Sequence, residues 1–211
     1  MKTINEWITE IHRNAVEHGW WDEERTIGEV CALISSEWSE ALEEYRNGNP
    51  AHYYDKKPSC DECIFDGEDV PKCEMDKCPW NFKPEGTAVE LADGIIRILD
   101  FFGQQGWEVP DMTLVQLMNE TEDEIDVSGE TFGDIVANLS YAAMNACRRY
   151  DKNTGEVAER DDGNKIMMWL LGAAVMAYAY IEQMGLDPEQ VIEEKHRYNI
   201  TRQYRHGGKR L

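Results

Sequence analysis

Two short stretches decide the fold: Ser36-Glu37-Trp38-Ser39-Glu40 and Val89-Glu90-Leu91-Ala92-Asp93. In each, two acids stand three residues apart, one turn of an α-helix, so both project from one face. Around the first pair Ile27, Val30, Cys31, Ile34, Trp38, Ala41, Leu42 and Tyr45 recur at the helical period. Around the second, Ala92, Ile95, Ile96, Leu99 and Phe102 do the same. The acids therefore border stripes that face a core, where four like charges repel one another unless a cation sits among them. A divalent metal is the natural candidate.

Outward from these helices the rest of the chain also reads as helical. Ile4, Trp7, Ile8, Ile11 and Val16 mark a first helix ending at Gly19, and the first acidic helix is expected over 26–46, stopped by Asn47-Gly48-Asn49-Pro50. After the second acidic helix come a turn over 103–110, a short helix over 112–118 and an acidic linker over 119–130. The last helix opens with Asp187 as N-cap, Pro188 in the first turn and Gln190 where a capping box wants it. The uncharged stretch 166–181 is shorter than the roughly 20 residues a bilayer span requires, so it is read as a central helix packed on all sides. The expected fold is an all-α helical bundle forming one domain over 1–211.

Composition excludes several functions. Forty-two acidic against 21 basic residues give a net charge of -21, which opposes a polymeric nucleic acid as partner. Seven Trp, nine Tyr and clear periodicity argue against the disorder that such acidity can also mean. The first 21 residues form an amphipathic pattern with charges throughout and no signal peptide, so a cytoplasmic location without a membrane partner is expected. Six cysteines in that setting point to reduced thiols or metal ligands.

Four of those cysteines fall in 51–85, a stretch rich in Pro, Asp and Lys that separates the two acidic helices. Cys60-Asp61-Glu62-Cys63, nine further residues, and Cys73-Glu74-Met75-Asp76-Lys77-Cys78 make two close pairs, the spacing by which a chain wraps a tetrahedral Zn²⁺. With Cys60, Cys63, Cys73 and Cys78 as ligands the site is closed and therefore structural. Free or disulfide-bonded cysteines in a flexible loop are the alternative, and nothing specifically favours an iron–sulfur cluster.

A repeat follows. Residues 131–145 align without gaps on 26–40, placing Ala142 opposite Glu37 and Asn145 opposite Glu40. Trp169-Leu170-Leu171-Gly172 likewise falls where Glu90-Leu91-Ala92-Asp93 fell. The pattern reads as two related helical hairpins, the second, 131–185, keeping the packing and discarding the acids, which leaves one active site per chain. Chance similarity between amphipathic helices is the other reading. Beyond it, 194–210 is the one basic concentration in an acidic protein, with Lys195, Asn199 and Arg202 on one face, able to hold phosphate oxygens. Basic residues at a helix C-terminus explain a few of these charges, but not a run that contains Gly207-Gly208. Two acidic pairs and a basic ending together make a site for a magnesium-bound polyphosphate.

Here the sequence resembles the MazG-like all-alpha nucleoside triphosphate pyrophosphohydrolases, the group related to dimeric dUTPases and dCTP pyrophosphatases. The resemblance rests on Glu-x-x-Glu followed by Glu-x-x-Asp, met by Glu37, Glu40, Glu90 and Asp93, and on three blocks in order: Trp21-Asp22-Glu23-Glu24-Arg25 through Asn47-Gly48, Glu90 through Asp100, and Glu194-Lys195 through Lys209. The cysteine segment looks like an insertion against that pattern. Residues 111–185 interrupt what ordinarily runs straight on, so the degenerate hairpin stands in for a partner subunit, leaving a monomeric pseudo-dimer or a homodimer. The resemblance implies Mg²⁺-dependent hydrolysis of a nucleoside triphosphate to monophosphate and pyrophosphate. Glu37, Glu40, Glu90 and Asp93 would hold the metal, which lowers the pKa of an attacking water; Glu40 would accept its proton, and Lys195, Asn199 and Arg202 would steady the phosphates. Trp21 and Trp38 are possible stacking surfaces for the base, although helix aromatics more often belong to the core, and Glu44 is either an outer ligand or simply exposed. The rival readings are a non-catalytic nucleotide-binding or regulatory protein and a zinc-stabilised interaction module.

Overall fold

A computed structural model describes residues 1–55, 83–121, 127–148 and 160–207. The four cysteines of the expected zinc site lie outside them. Among the described residues the chain is helical apart from one two-stranded pairing: α1 (Ile4–Glu17), α2 (Ile27–Arg46), β1 (Tyr53–Asp55), β2 (Lys83–Glu85), α3 (Thr87–Gln105), α4 (Leu114–Glu120), α5 (Phe132–Arg148), α6 (Arg160–Gln183) and α7 (Pro188–Ile200).

The helix starts follow from local chemistry. Thr3 with Glu6, Thr26 with Glu29 and Thr113 with Gln116 each exchange reciprocal side-chain and backbone hydrogen bonds, three capping boxes. Thr131 and Asp134 make the same exchange ahead of α5. Asp187 caps α7 by accepting from the Glu189 and Gln190 amides, but the Gln190 side chain does not reach back as the sequence predicts; it donates to Glu194 Oε1 at 2.9 Å. In α1 the buried stripe ends on Ala15 and Val16 is half exposed, because the 3.6-residue period continues 4, 8, 11 to 15.

α2 packs against α3 and α5, and α5 against α6; α3 packs against α1, α2, α6 and α7. The centre of the bundle is therefore α3, buried without interruption from Thr87 to Ile96, and not 166–181. α6 is longer than that uncharged core. Its segment Gly163–Gln183 is long and apolar enough to cross a membrane by length and composition, yet half of the apolar window lies buried in the bundle. α6 also shares an apolar groove with α5, lined by Tyr141 and Met168, and these two and Met144 are exposed.

One interlock sets the spacing of α2 and α3. Trp38 is fully buried, and a Cβ on Gly94 would overlap its ring. Because Trp38 follows Glu37 and Gly94 follows Asp93, the close approach that glycine permits falls beside both acids. At the far end of α2, β1 and β2 pair antiparallel with Tyr53 opposite Glu85 and Asp55 opposite Lys83. The pairing is pegged to two helices. Tyr53 donates to Glu44 Oε2 at 3.1 Å, and Tyr54 donates to Glu194 Oε2 at 2.7 Å with His52 Nε2 2.9 Å from the same oxygen. Glu44, which also accepts from Asn49, is thus an anchor for β1, neither of the two roles that the sequence offered for it.

Candidate metal and nucleotide site

α2 supplies Glu37 and Glu40, α3 supplies Glu90, Asp93 and Arg97, and α7 lays Lys195 and Asn199 across them. Glu37, Glu40 and Glu90 each offer a carboxylate oxygen, and the three oxygens lie within 4.8 Å of one another. Glu37 and Glu90 are buried and Glu40 is exposed. Three carboxylates so placed, one open to solvent, suit a hard divalent cation that keeps water ligands.

Asp93 stands apart from that trio. Its Oδ1 accepts from Asn199 Nδ2 at 3.1 Å, and its Oδ2 lies 3.5 Å from Lys195 Nζ. Lys195 is 1% exposed and sits equally close to both oxygens of Glu90, at 3.5 Å. The residue expected to hold phosphate therefore bridges two of the acids. On the opposite side, Arg97 Nε donates to Glu37 Oε1. Asn199 Oδ1 is buried without a hydrogen-bond partner among the described residues.

The electrostatics reflect this crowding. Burial, reinforced by Asp93 and by Glu40, pushes the Glu37 carboxyl up to about 7 against the pull of Arg97. Burial likewise raises Glu90 to about 8, although Lys195 opposes it. Asp93 is also desolvated, but Lys195, Arg97, Arg202 and the Asn199 amide outweigh burial and hold it below its usual value. Lys195 is desolvated in turn, yet Asp93, Glu90 and Glu37 keep its pKa raised, so it stays charged. The cluster thus holds part of its acidity as bound protons, which a divalent cation would displace.

A cleft runs from Asp93 beneath the α1–α2 turn. Trp20, Trp21, Arg25, Arg97, Asp100 and Arg202 line it. The Arg25 guanidinium lies over Trp20 at 5.3 Å and Trp21 at 5.9 Å, and Arg97 lies over Trp20 at 5.9 Å. Trp21 thus stands where a flat ligand can meet it. Trp38 does not, since its ring is enclosed in the core. Trp20, Arg25 and Asp100 are absent from the sequence-derived site, although Trp20-Trp21 and Asp100 lie in or beside the motif blocks. Beyond α7, Arg205 pairs with Asp22 and Glu23, and Tyr204 donates to Asp22, which binds the basic ending back over the turn.

No family model, curated protein or solved structure matches this chain.

Proposed function

We propose that the protein is a Mg²⁺-dependent nucleoside triphosphate pyrophosphohydrolase, cleaving between the alpha and beta phosphates to give monophosphate and pyrophosphate. The observation that carries the reading is the convergence of Glu37, Glu40 and Glu90 next to a cleft of two indoles and three guanidinium groups. Carboxylates and cations side by side suit a ligand that is itself a metal-bound polyanion with a flat aromatic end.

Glu37, Glu40 and Glu90 would hold the cation, with Asp93 joining them by releasing Lys195. A bound Mg²⁺ supplies charge neutralisation of the phosphates and a more acidic water. Glu40, exposed beside the two buried acids, accepts the proton of the attacking water at its free oxygen. Lys195, Asn199 and Arg202 steady the phosphates, the first two by exchanging their carboxylate partners for phosphate oxygens. Arg97 stays on Glu37 and fixes its orientation. Trp21, with Trp20, takes the base.

Residues 131–185 are read as a degenerate copy of the first hairpin. With each helix aligned separately, Ala142, Trp169, Gly172 and Met176 take the places of Glu37, Glu90, Asp93 and Arg97, and these four line the apolar groove between α5 and α6. The Thr-x-Gly-acid opening is weaker support, because α1 and α4 also open with a threonine capping box. A copy packed on its original gives one site per chain in a monomeric pseudo-dimer, and a homodimer remains compatible with it. A structural zinc on Cys60, Cys63, Cys73 and Cys78 is proposed from their spacing alone.

The test is a panel of nucleoside triphosphates with Mg²⁺, resolving monophosphate plus pyrophosphate from diphosphate plus phosphate. Pyrophosphate release that stops with chelator is the expected result. Release that persists in excess chelator, or no turnover of any nucleotide, overturns the reading.

A further inference from the structure

The cleft is lined by a carboxylate that the acid cluster does not use. Asp100 lies seven residues beyond Asp93 on α3, about 10 Å along the helix axis at 1.5 Å per residue. In a nucleotide whose phosphates sit at the acids, that distance reaches past the sugar to the base. Asp100 is also held in one orientation. Trp21 Nε1 donates to its Oδ1 at 2.9 Å, and His12 Nδ1 lies 2.8 Å from the same oxygen. Its Oδ2 makes no hydrogen bond with any described residue.

The surroundings match the faces of a base and leave its edge to be read. Indole and guanidinium planes of Trp20, Trp21 and Arg25 supply stacking surfaces that no base fails to satisfy, so they do not discriminate. Discrimination falls to polar atoms that meet the edge of the base, and Asp100, which lines the same cleft, offers Oδ2 as an acceptor. An acceptor selects for a donor. A carbonyl placed against it is repelled and leaves two acceptors facing each other without a proton.

We propose that Asp100 determines base specificity in the hydrolase, which rests on the function proposed above. Its Oδ2 accepts from an exocyclic amino group, so the enzyme takes amino-bearing bases in preference to uracil and thymine. Cytosine and uracil give the cleanest comparison, since they have one ring size and differ at the edge only by amino against carbonyl and, at the neighbouring ring nitrogen, by a bare nitrogen against N–H. A site built to hydrogen-bond a donor can reject the analogue lacking it by ~10⁴, but the Asp100 side chain is 18% exposed and water makes good part of the loss. The expected preference is about 10² in kcat/KM for dCTP over dUTP.

The experiment measures that ratio in the wild type and in Asp100→Asn. Asparagine can still accept from Trp21 and adds an amide donor for the uracil carbonyl. The ratio should therefore collapse toward one. A wild type indifferent to the two bases, or an unchanged ratio in a variant that still turns over, overturns the proposal. Binding of dCMP and dUMP to the wild type and to Asp100→Asn, followed by tryptophan fluorescence, tests Asp100 independently of turnover. A dCMP preference in the wild type that Asp100→Asn loses supports the assignment; equal binding or none in the wild type, or a preference kept by the variant, overturns it. Absence of pyrophosphate release from every nucleotide, with dCMP still preferred, would instead count against the hydrolase reading and leave Asp100 as the reader of the base.

Discussion

Metal-free protein should lose stability as pH rises, and Mg²⁺ should return it. Glu37 and Glu90 are 3% and 4% exposed, and their carboxyls are raised from 4.5 to about 7 and about 8. Below about pH 4.5 both are protonated in the folded and unfolded chains alike. From there to about pH 8 the unfolded chain gives up these protons more readily than the folded one, so each rise in pH favours unfolding; above it, both states are ionised and the penalty is constant. Raising the single Glu37 carboxyl from 4.5 to about 7 corresponds to about 3 kcal/mol. The second carboxyl shares the same cavity and counterions, so the two together are expected to cost about 3–5 kcal/mol rather than twice the single value. For a chain of this size ~1 kcal/mol moves Tm by about 2–4 °C, which predicts a fall on the order of 10 °C across the window. Asp93 and Glu194, whose carboxyls are held below their usual values, lose their contribution only in more acidic solution. The assay is thermal unfolding by circular dichroism in EDTA and in excess Mg²⁺, between about pH 5.5 and about pH 8.5. The Tm increment from Mg²⁺ should grow with pH, because the cation binds the ionised carboxylates. Replacing Glu37 and Glu90 by Gln should flatten the metal-free curve. A metal-free Tm that is level or rising, or an Mg²⁺ increment that is constant with pH, would refute the reasoning.

Glu40→Ala should leave stability within about 0.5 kcal/mol of wild type, since Glu40 is exposed, while lowering pyrophosphate release by about 10² or more. Asp93→Ala should behave differently: it strips Lys195 and Asn199 of a shared partner and should destabilise by roughly 3 kcal/mol in denaturant titration, so loss of activity there reports folding as well as chemistry. Gly94→Ala forces a methyl group into the Trp38 ring and should cost about 1–3 kcal/mol, measured in the same way. Metal analysis of protein purified under reducing conditions should find about one zinc per chain; full titration of all six thiols without zinc would remove that site.

The helices and the facing acids are legible because each depends on short-range signals. Period, caps and the three-residue acid spacing all act within two turns of a helix. What stays hidden depends on which side chains meet across the fold. The buried Lys195 is an example: its place in a basic run points to phosphate, yet the bundle turns it toward Glu90 and Asp93. Asp100 and Glu44 look like ordinary surface acids until His12, Trp21, Tyr53 and Asn49 arrive from other elements. The exchange of α6 for α3 as central helix has a similar cause. An uninterrupted apolar run marks a helix as buried somewhere, but α3, carrying four charged residues, is enclosed on more sides because its acids and Arg97 neutralise one another and find partners on α2 and α7.

The strand pairing has a consequence of a different kind. By holding Asp55 against Lys83, β1 and β2 bring the two ends of 56–82 together at a single point of the fold. Whatever is spliced between those two residues closes a loop whose entropic cost grows only with the logarithm of its length. The junction is therefore a port at which sequence can be added, exchanged or removed while the spacing of α2 and α3 stays the same. It is not an inert one. Its peg on Glu194 sits one residue from Lys195, so the junction and the buried cation among the acids share one stretch of α7 backbone.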